Sequence, residues 1–162
     1  MLFRSCRDLE ARGVTYVRRS RLSGEPRGAP RALVVDVFGE LPAWWGLAQI
    51  GFVGNSLTQH GGQNMIEPAA YGAAVLFGPN TRNFRESVQL LLSADGACVV
   101  QNAAGLTEAV RKLAAEKTLR EAMGQRAQSA VAAHRGATER TLESLVPALT
   151  GTSRQPNAAR AA

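Results

Sequence analysis

Gly61-Gly62-Gln63-Asn64-Met65-Ile66-Glu67-Pro68-Ala69-Ala70 decides the reading of this chain, because a pair of glycines runs into a helix start that carries a carboxylate. Two glycines allow a tight backbone turn and close approach of a ligand. Pro68 suits the first turn of a helix, where its missing N–H costs nothing. The free amides of such a turn favour an anion, typically a phosphate, and the Glu67 carboxylate can accept hydrogen bonds from two neighbouring sugar hydroxyls. Phosphate together with ribose is a nucleotide. Glycine pairs also precede helices as plain strand-to-helix turns, and an acid there also complements the helix dipole, so the stretch alone leaves both readings open.

Outward from this stretch, short apolar runs bounded by Gly, Pro or Asn predict strands at Val14–Val17, Ala32–Val37, Gly51–Gly54, Ala74–Phe77 and Ala97–Gln101. Leu2, Phe3, Cys6 and Leu9 recur at helical spacing and close at Gly13, a suitable C-cap. Further helices are expected at Pro42–Ile50, Ile66–Gly72, Asn83–Ala94, Leu106–Ala115, Lys117–Ala133 and Ala137–Leu149. Alternating strands and helices imply an α/β fold, a Rossmann-like parallel sheet covered on both faces. In such sheets ligands bind beyond the carboxyl ends of the strands, and the glycine stretch follows one of them. The first helix has no strand before it, so the sheet is expected to lack its first strand. Residues 1–149 read as one nucleotide-sugar binding domain; Ser20–Arg31 is a loop, and 150–162, small and polar with no apolar period, reads as a disordered tail.

Two further segments lie upstream, Asp36-Val37-Phe38-Gly39-Glu40-Leu41 and Phe52-Val53-Gly54-Asn55-Ser56-Leu57; downstream come Val75-Leu76-Phe77, Gly78-Pro79 and Asn83-Phe84. In this order the chain resembles the 3-deoxy-D-manno-octulosonic acid (Kdo) transferases, over roughly Leu9 to Leu149. These enzymes move Kdo from CMP-Kdo onto lipid A precursors in building the inner core of lipopolysaccharide. They have the two-domain GT-B fold, and the resemblance is to the C-terminal half, which holds the CMP of the donor. Carried over, the family's Asp-x-x-Gly-Glu-Leu pattern sets Phe38, Gly39 and Glu40 against the nucleotide. The Gly-Gly-x-Asn-x-x-Glu pattern does the same for Gly62, Gln63, Asn64, Met65, Ile66 and Glu67. Ser56 is a candidate hydroxyl donor to the sugar or phosphate, with a turn-capping serine as the plainer role. The chain departs from the family in having Gln63 where many members have His, Asn55 where Gly is common, and Val37-Phe38 where Thr-Met is common. The Pro-Arg segment that opens the family's donor half has no counterpart, nor has the acceptor half with its catalytic glutamate. On this resemblance the chain alone binds a donor and catalyses nothing.

With 162 residues and 45% hydrophobic content, the chain suits one globular domain. It has no apolar run of the ~20 residues a membrane helix needs and no apolar signal core, so a cytoplasmic protein, or one at the cytoplasmic face of the inner membrane, is expected. Cys6 and Cys98 suggest neither a disulfide framework nor a metal site, and no cofactor or metal is expected. The net charge of +6 is concentrated in residues 1–31, with eight arginines against Asp8, Glu10 and Glu25. Such a face suits anionic lipid headgroups or plain solvation. Phe3 and Tyr16 lie among these arginines without forming an interleaved platform to stack bases, which argues against nucleic acid. Asp36 and Glu40 are a close carboxylate pair, but nothing in their spacing sets a separation across a scissile bond. His60 reads as a loop histidine in water, and Trp44 and Trp45 as one core and one half-exposed aromatic. Two other readings stand beside the donor domain. One is a non-catalytic nucleotide-binding remnant or interaction module; the other is the donor half of a GT-B enzyme using a UDP-sugar.

Overall fold

The computed structural model describes residues 2–22, 24, 28–134 and 145–146, so the expected helix at 137–149 and the tail at 150–162 lie outside the described residues, apart from 145–146, which are helical. The chain forms two compact units, Met1–Trp44 and Trp45–Ala162.

In the first unit, helix α1 (Leu2–Ala11) ends as expected at Gly13, whose φ of 62° lets its N–H reach the Glu10 carbonyl at 3.0 Å. Strand β1 (Tyr16–Arg18) passes into a 3-10 turn (Arg19–Arg21), and β2 (Ala32–Val34) lies parallel to β1, with Tyr16 beside Ala32 and Arg18 beside Val34. The ladder was expected to run on to Val37. It stops at Val34 because Asp36 turns its carboxylate onto Ser20 and Arg18. Helix α2 (Leu41–Leu47) follows, its first turn started by the Glu40 carbonyl, which accepts from the N–H groups of Ala43 and Trp44.

The second unit is a three-stranded parallel sheet in the order β3 (Ile50–Val53), β4 (Ala74–Phe77), β5 (Ala97–Val99). Instead of one continuous sheet, the described residues therefore form two parallel ladders. All four residues of β4 are completely buried, as expected for a central parallel strand whose two faces are both covered. Alternation sends Val75 and Phe77 into one core, with Val53, Met65, Leu91, Ala127 and Val131, and sends Ala74 and Leu76 into another, with Val100, Leu113 and Met123. Helices α3 (Ile66–Ala70) and α4 (Arg85–Ser93) serve the first core and α5 (Ala103–Ala115) the second. The last helix, α6 (Lys117–Ala133), contributes Met123 to one and Ala127 and Val131 to the other. Trp44 and Trp45 are both half-buried rather than divided between core and surface, and neither indole N–H has a partner among the described residues.

Candidate functional site

The loops that leave the carboxyl ends of β3 and β4 are braced against each other through Ser56. Its side chain is completely buried; the hydroxyl donates to the Val53 carbonyl at 2.5 Å and accepts from the Gly78 N–H at 2.8 Å. The Ser56 carbonyl also accepts from Asn80 N–H at 2.9 Å. Ser56 is thus corrected from a candidate ligand donor to a strut. Its one proton is spent on the backbone, and the side chain has no solvent exposure.

Above this strut the chain reverses at Gly61 and Gly62, whose φ values of 84° and 79° side chains other than glycine's rarely tolerate. Close packing adds a second reason for glycine at 61, since a Cβ there would lie 2.6 Å from the Asn83 amide nitrogen. The Gly62 N–H reaches back to the Asn55 carbonyl at 3.4 Å, and Asn55 is itself left-handed at φ 60°. The double-glycine turn is therefore held from both sides, by the β3 loop and by the 78–83 loop.

Downstream, Asn64 organises the helix start. Its side-chain carbonyl accepts from Ile66 N–H at 3.0 Å, and its amide donates to Glu67 Oε1 at 3.1 Å. Glu67 is thereby fixed in orientation while only half-buried, and its second oxygen takes part in none of these bonds. This arrangement corrects the expectation that the first-turn amides of α3 stand free for a phosphate, since the Ile66 N–H is occupied and the helix is only five residues long. Met65 is corrected as well. Its side chain is completely buried among Val53, Phe77 and Leu91, so only its backbone can face a ligand. Ile66 is half-buried and packs against the same core, whereas Gln63 is exposed and lies over Gly54. His60 is exposed.

Beside the glycine turn is an open cleft of about 450 Å³, lined by Gln59, Gly61, Asn80, Thr81, Arg82 and Arg85 among others. The two arginines come from the 3-10 turn Arg82–Phe84 and the first residue of α4, neither of which the sequence reading singled out.

In the first unit, Phe38 is fully exposed at the tip of the 36–40 loop, next to Gly39 at φ 84°. Consecutive arginines hold the two ends of this loop. Arg18 donates from Nε to Asp36 at 2.7 Å and contacts the same oxygen from Nη2 at 2.6 Å. Arg19 grips Glu40 with two parallel bonds, both of 2.8 Å. Glu40 is therefore a loop anchor, each of its two carboxylate oxygens accepting one bond from Arg19. Asp36 has a side chain only 1% exposed and lies well below the usual carboxylate range at about 2. The Ser20 hydroxyl and backbone N–H are the main cause, with Arg18 adding to them. Tyr16 moves the other way, to about 12, because its hydroxyl donates to Glu10 at 2.6 Å and ionisation would break that bond beside a carboxylate. Among the described residues no three of His, Cys, Asp and Glu gather as metal ligands, and no helix is long and apolar enough to cross a membrane.

No family model matches the chain. It is 39% identical over 137 residues to a 3-deoxy-D-manno-octulosonic acid transferase of Bordetella pertussis, which covers 85% of this chain and 32% of that protein. A transferase of the same name from Haemophilus influenzae is 36% identical over 135 residues, covering 83% of this chain and 31% of the relative. The chain thus spans about a third of the length of these relatives. Its fold is shared with the C-terminal CMP-Kdo binding domain of WaaA from Acinetobacter baumannii, at a TM-score of 0.73 and 24% identity, over 80% of this chain and 67% of the other. The chain is thus a relative of the 3-deoxy-D-manno-octulosonic acid transferases over about a third of their length, with the fold of that C-terminal domain.

Proposed function

We propose that this chain is the donor-binding domain of a Kdo transferase and holds the CMP of CMP-Kdo. The observation that carries the reading is the Asn64–Glu67 pair, in which a carboxylate is oriented by a neighbouring amide beside a double-glycine turn at the carboxyl end of a parallel sheet. A half-buried, oriented carboxylate accepts both hydroxyls of a ribose at little ordering cost, because its rotamer is already fixed. The Gly61–Gly62 turn lets backbone approach the adjoining phosphate without a side chain in the way. The site needs no metal or cofactor. The resemblance also gives Phe38 and Gly39 a nucleotide contact, which a Phe38→Ala variant tests separately.

Transfer belongs to a whole enzyme such as the Bordetella pertussis relative, about a third of whose length this chain matches. There a hydroxyl of a lipid A precursor attacks the anomeric carbon of Kdo, the bond to the CMP phosphate breaks, and a base takes the hydroxyl proton. The domain's part is to hold and orient the leaving nucleotide, at the cytoplasmic face of the inner membrane, where the arginines of residues 1–31 other than Arg18 and Arg19 favour anionic lipid. Calorimetric titration of the 162-residue chain with CMP and with UMP tests the reading. CMP binding that exceeds UMP binding and vanishes in Glu67→Ala supports it. Preference for UMP favours a UDP-sugar enzyme, and no binding by a folded chain overturns the assignment.

A further inference from the structure

The cleft beside Gly61 is lined by neither Asn64 nor Glu67, and its chemistry is distinctive. It is an open space of about 450 Å³ in which two guanidinium side chains, Arg82 and Arg85, stand with Gln59, Asn80 and Thr81. Both arginines are exposed, and neither makes an ion pair or side-chain hydrogen bond among the described residues. Elsewhere in the second unit, Arg120 and Arg126 are tied to backbone carbonyls, while Arg111 is exposed on α5. The placement of Arg82 and Arg85 is also unfavourable for the fold alone. Arg85 is the first residue of α4 and Arg82 stands in the turn leading into it, where unpaired N–H groups and the helix dipole disfavour a cation. Glu86 follows in the same turn, but adjacent helical residues point away from each other, and Glu86 does not line the cleft.

We propose that this cleft is a subsite for an ionised group carried by a sugar, a carboxylate or a phosphate monoester. Arg82 and Arg85 supply charge-assisted hydrogen bonds to the anion, and Gln59, Asn80 and Thr81 offer donors and acceptors to the hydroxyls around it. The shared Gly61 places the subsite next to the double-glycine turn. The identity of the incoming molecule rests on the nucleotide reading: with CMP at Glu67, the acid group of the donor sugar is one source and a phosphate on the acceptor the other.

The test is an amide-resolved NMR titration of the 15N-labelled full chain with free 3-deoxy-D-manno-octulosonic acid, its methyl ester, glucose 6-phosphate and CMP. Shifts at Gly61 and at residues 80–85 on adding the sugar acid, absent with the ester, assign the site to the sugar carboxylate. The same shifts with glucose 6-phosphate and not with the acid assign it to a phosphate monoester. Either response should weaken at least about tenfold in an Arg82→Gln/Arg85→Gln variant, the size expected for losing hydrogen bonds to a charged group. It should also weaken with salt. The proposal is overturned if none of the anions shifts these amides, if the ester acts as well as the acid, or if the double variant binds undiminished. CMP separates the two readings. Its shifts at residues 64–67 should survive the double variant, and their absence beside an intact anion response would remove the nucleotide reading while leaving the cleft as an anion site.

Discussion

Ser56→Ala removes a single oxygen from a position with no solvent contact, and its cost follows from what that oxygen holds. Two buried backbone groups lose their partner, the Val53 carbonyl and the Gly78 N–H. Each such orphan costs about 1–3 kcal/mol, while the lost volume is too small to add much, so the variant should lose about 2–6 kcal/mol of unfolding free energy. For a small domain that is a large share of the total. Urea denaturation followed by circular dichroism measures it; at a slope of about 2 kcal/mol per molar the midpoint should fall by about 1–3 M with the slope unchanged. The same variant should weaken CMP binding without touching the nucleotide, because the strut positions the loops that carry Gly61 and Asn80. A midpoint shift below about 0.3 M would show that the two backbone groups find other partners, and the role of Ser56 as a strut would fall.

Three further outcomes are expected. Gly61→Ala should cost about 1–3 kcal/mol in the same denaturation assay, since a side chain at φ 84° is strained and its Cβ would meet the Asn83 amide. Asn64→Ala should leave the fold intact but weaken CMP binding about tenfold by calorimetry, because Glu67 loses the amide that orients it. Asp36, held at about 2 against an ordinary 3.8, binds its proton more weakly in the folded state than in the unfolded chain. Its stabilising contribution is therefore complete above about pH 4 and is lost as the pH falls through about 2. Acid titration of stability should be less steep over that window in Asp36→Asn than in the parent chain, and identical slopes would contradict the bond to Ser20.

The sequence made some elements legible and hid others for physical reasons. β4 was placed to the residue at Ala74–Phe77, because an uninterrupted apolar run closed by Gly78-Pro79 has one sensible reading in an α/β chain. α6 was likewise found at Lys117–Ala133. α5 begins at Ala103 rather than Leu106, and the missed signal was local. Asn102 caps the helix, its side chain accepting from Gly105 N–H at 3.0 Å. The remaining misses come from long-range pairing. Nothing near Asp36 or Glu40 in sequence announces Arg18 and Arg19, whose partners lie 18 and 21 residues away across parallel strands. Ser56 looked like a loop hydroxyl because its acceptor role is set by Gly78, 22 residues on and beyond the next strand. Met65 sat inside a motif whose pattern records which residues are present but not which way they point. Asn64 and Glu67 stand out in the sequence as candidate site residues, and the structure adds that they bond to each other.

The measurement that tests the central claim most directly is a crystal structure of the chain with CMP bound. The account predicts both ribose hydroxyls within hydrogen-bond distance of the Glu67 carboxylate, with the phosphate against the Gly61–Gly62 turn. A nucleotide seated elsewhere on the chain, or Glu67 turned away from the sugar with its Asn64 bond intact, would contradict it.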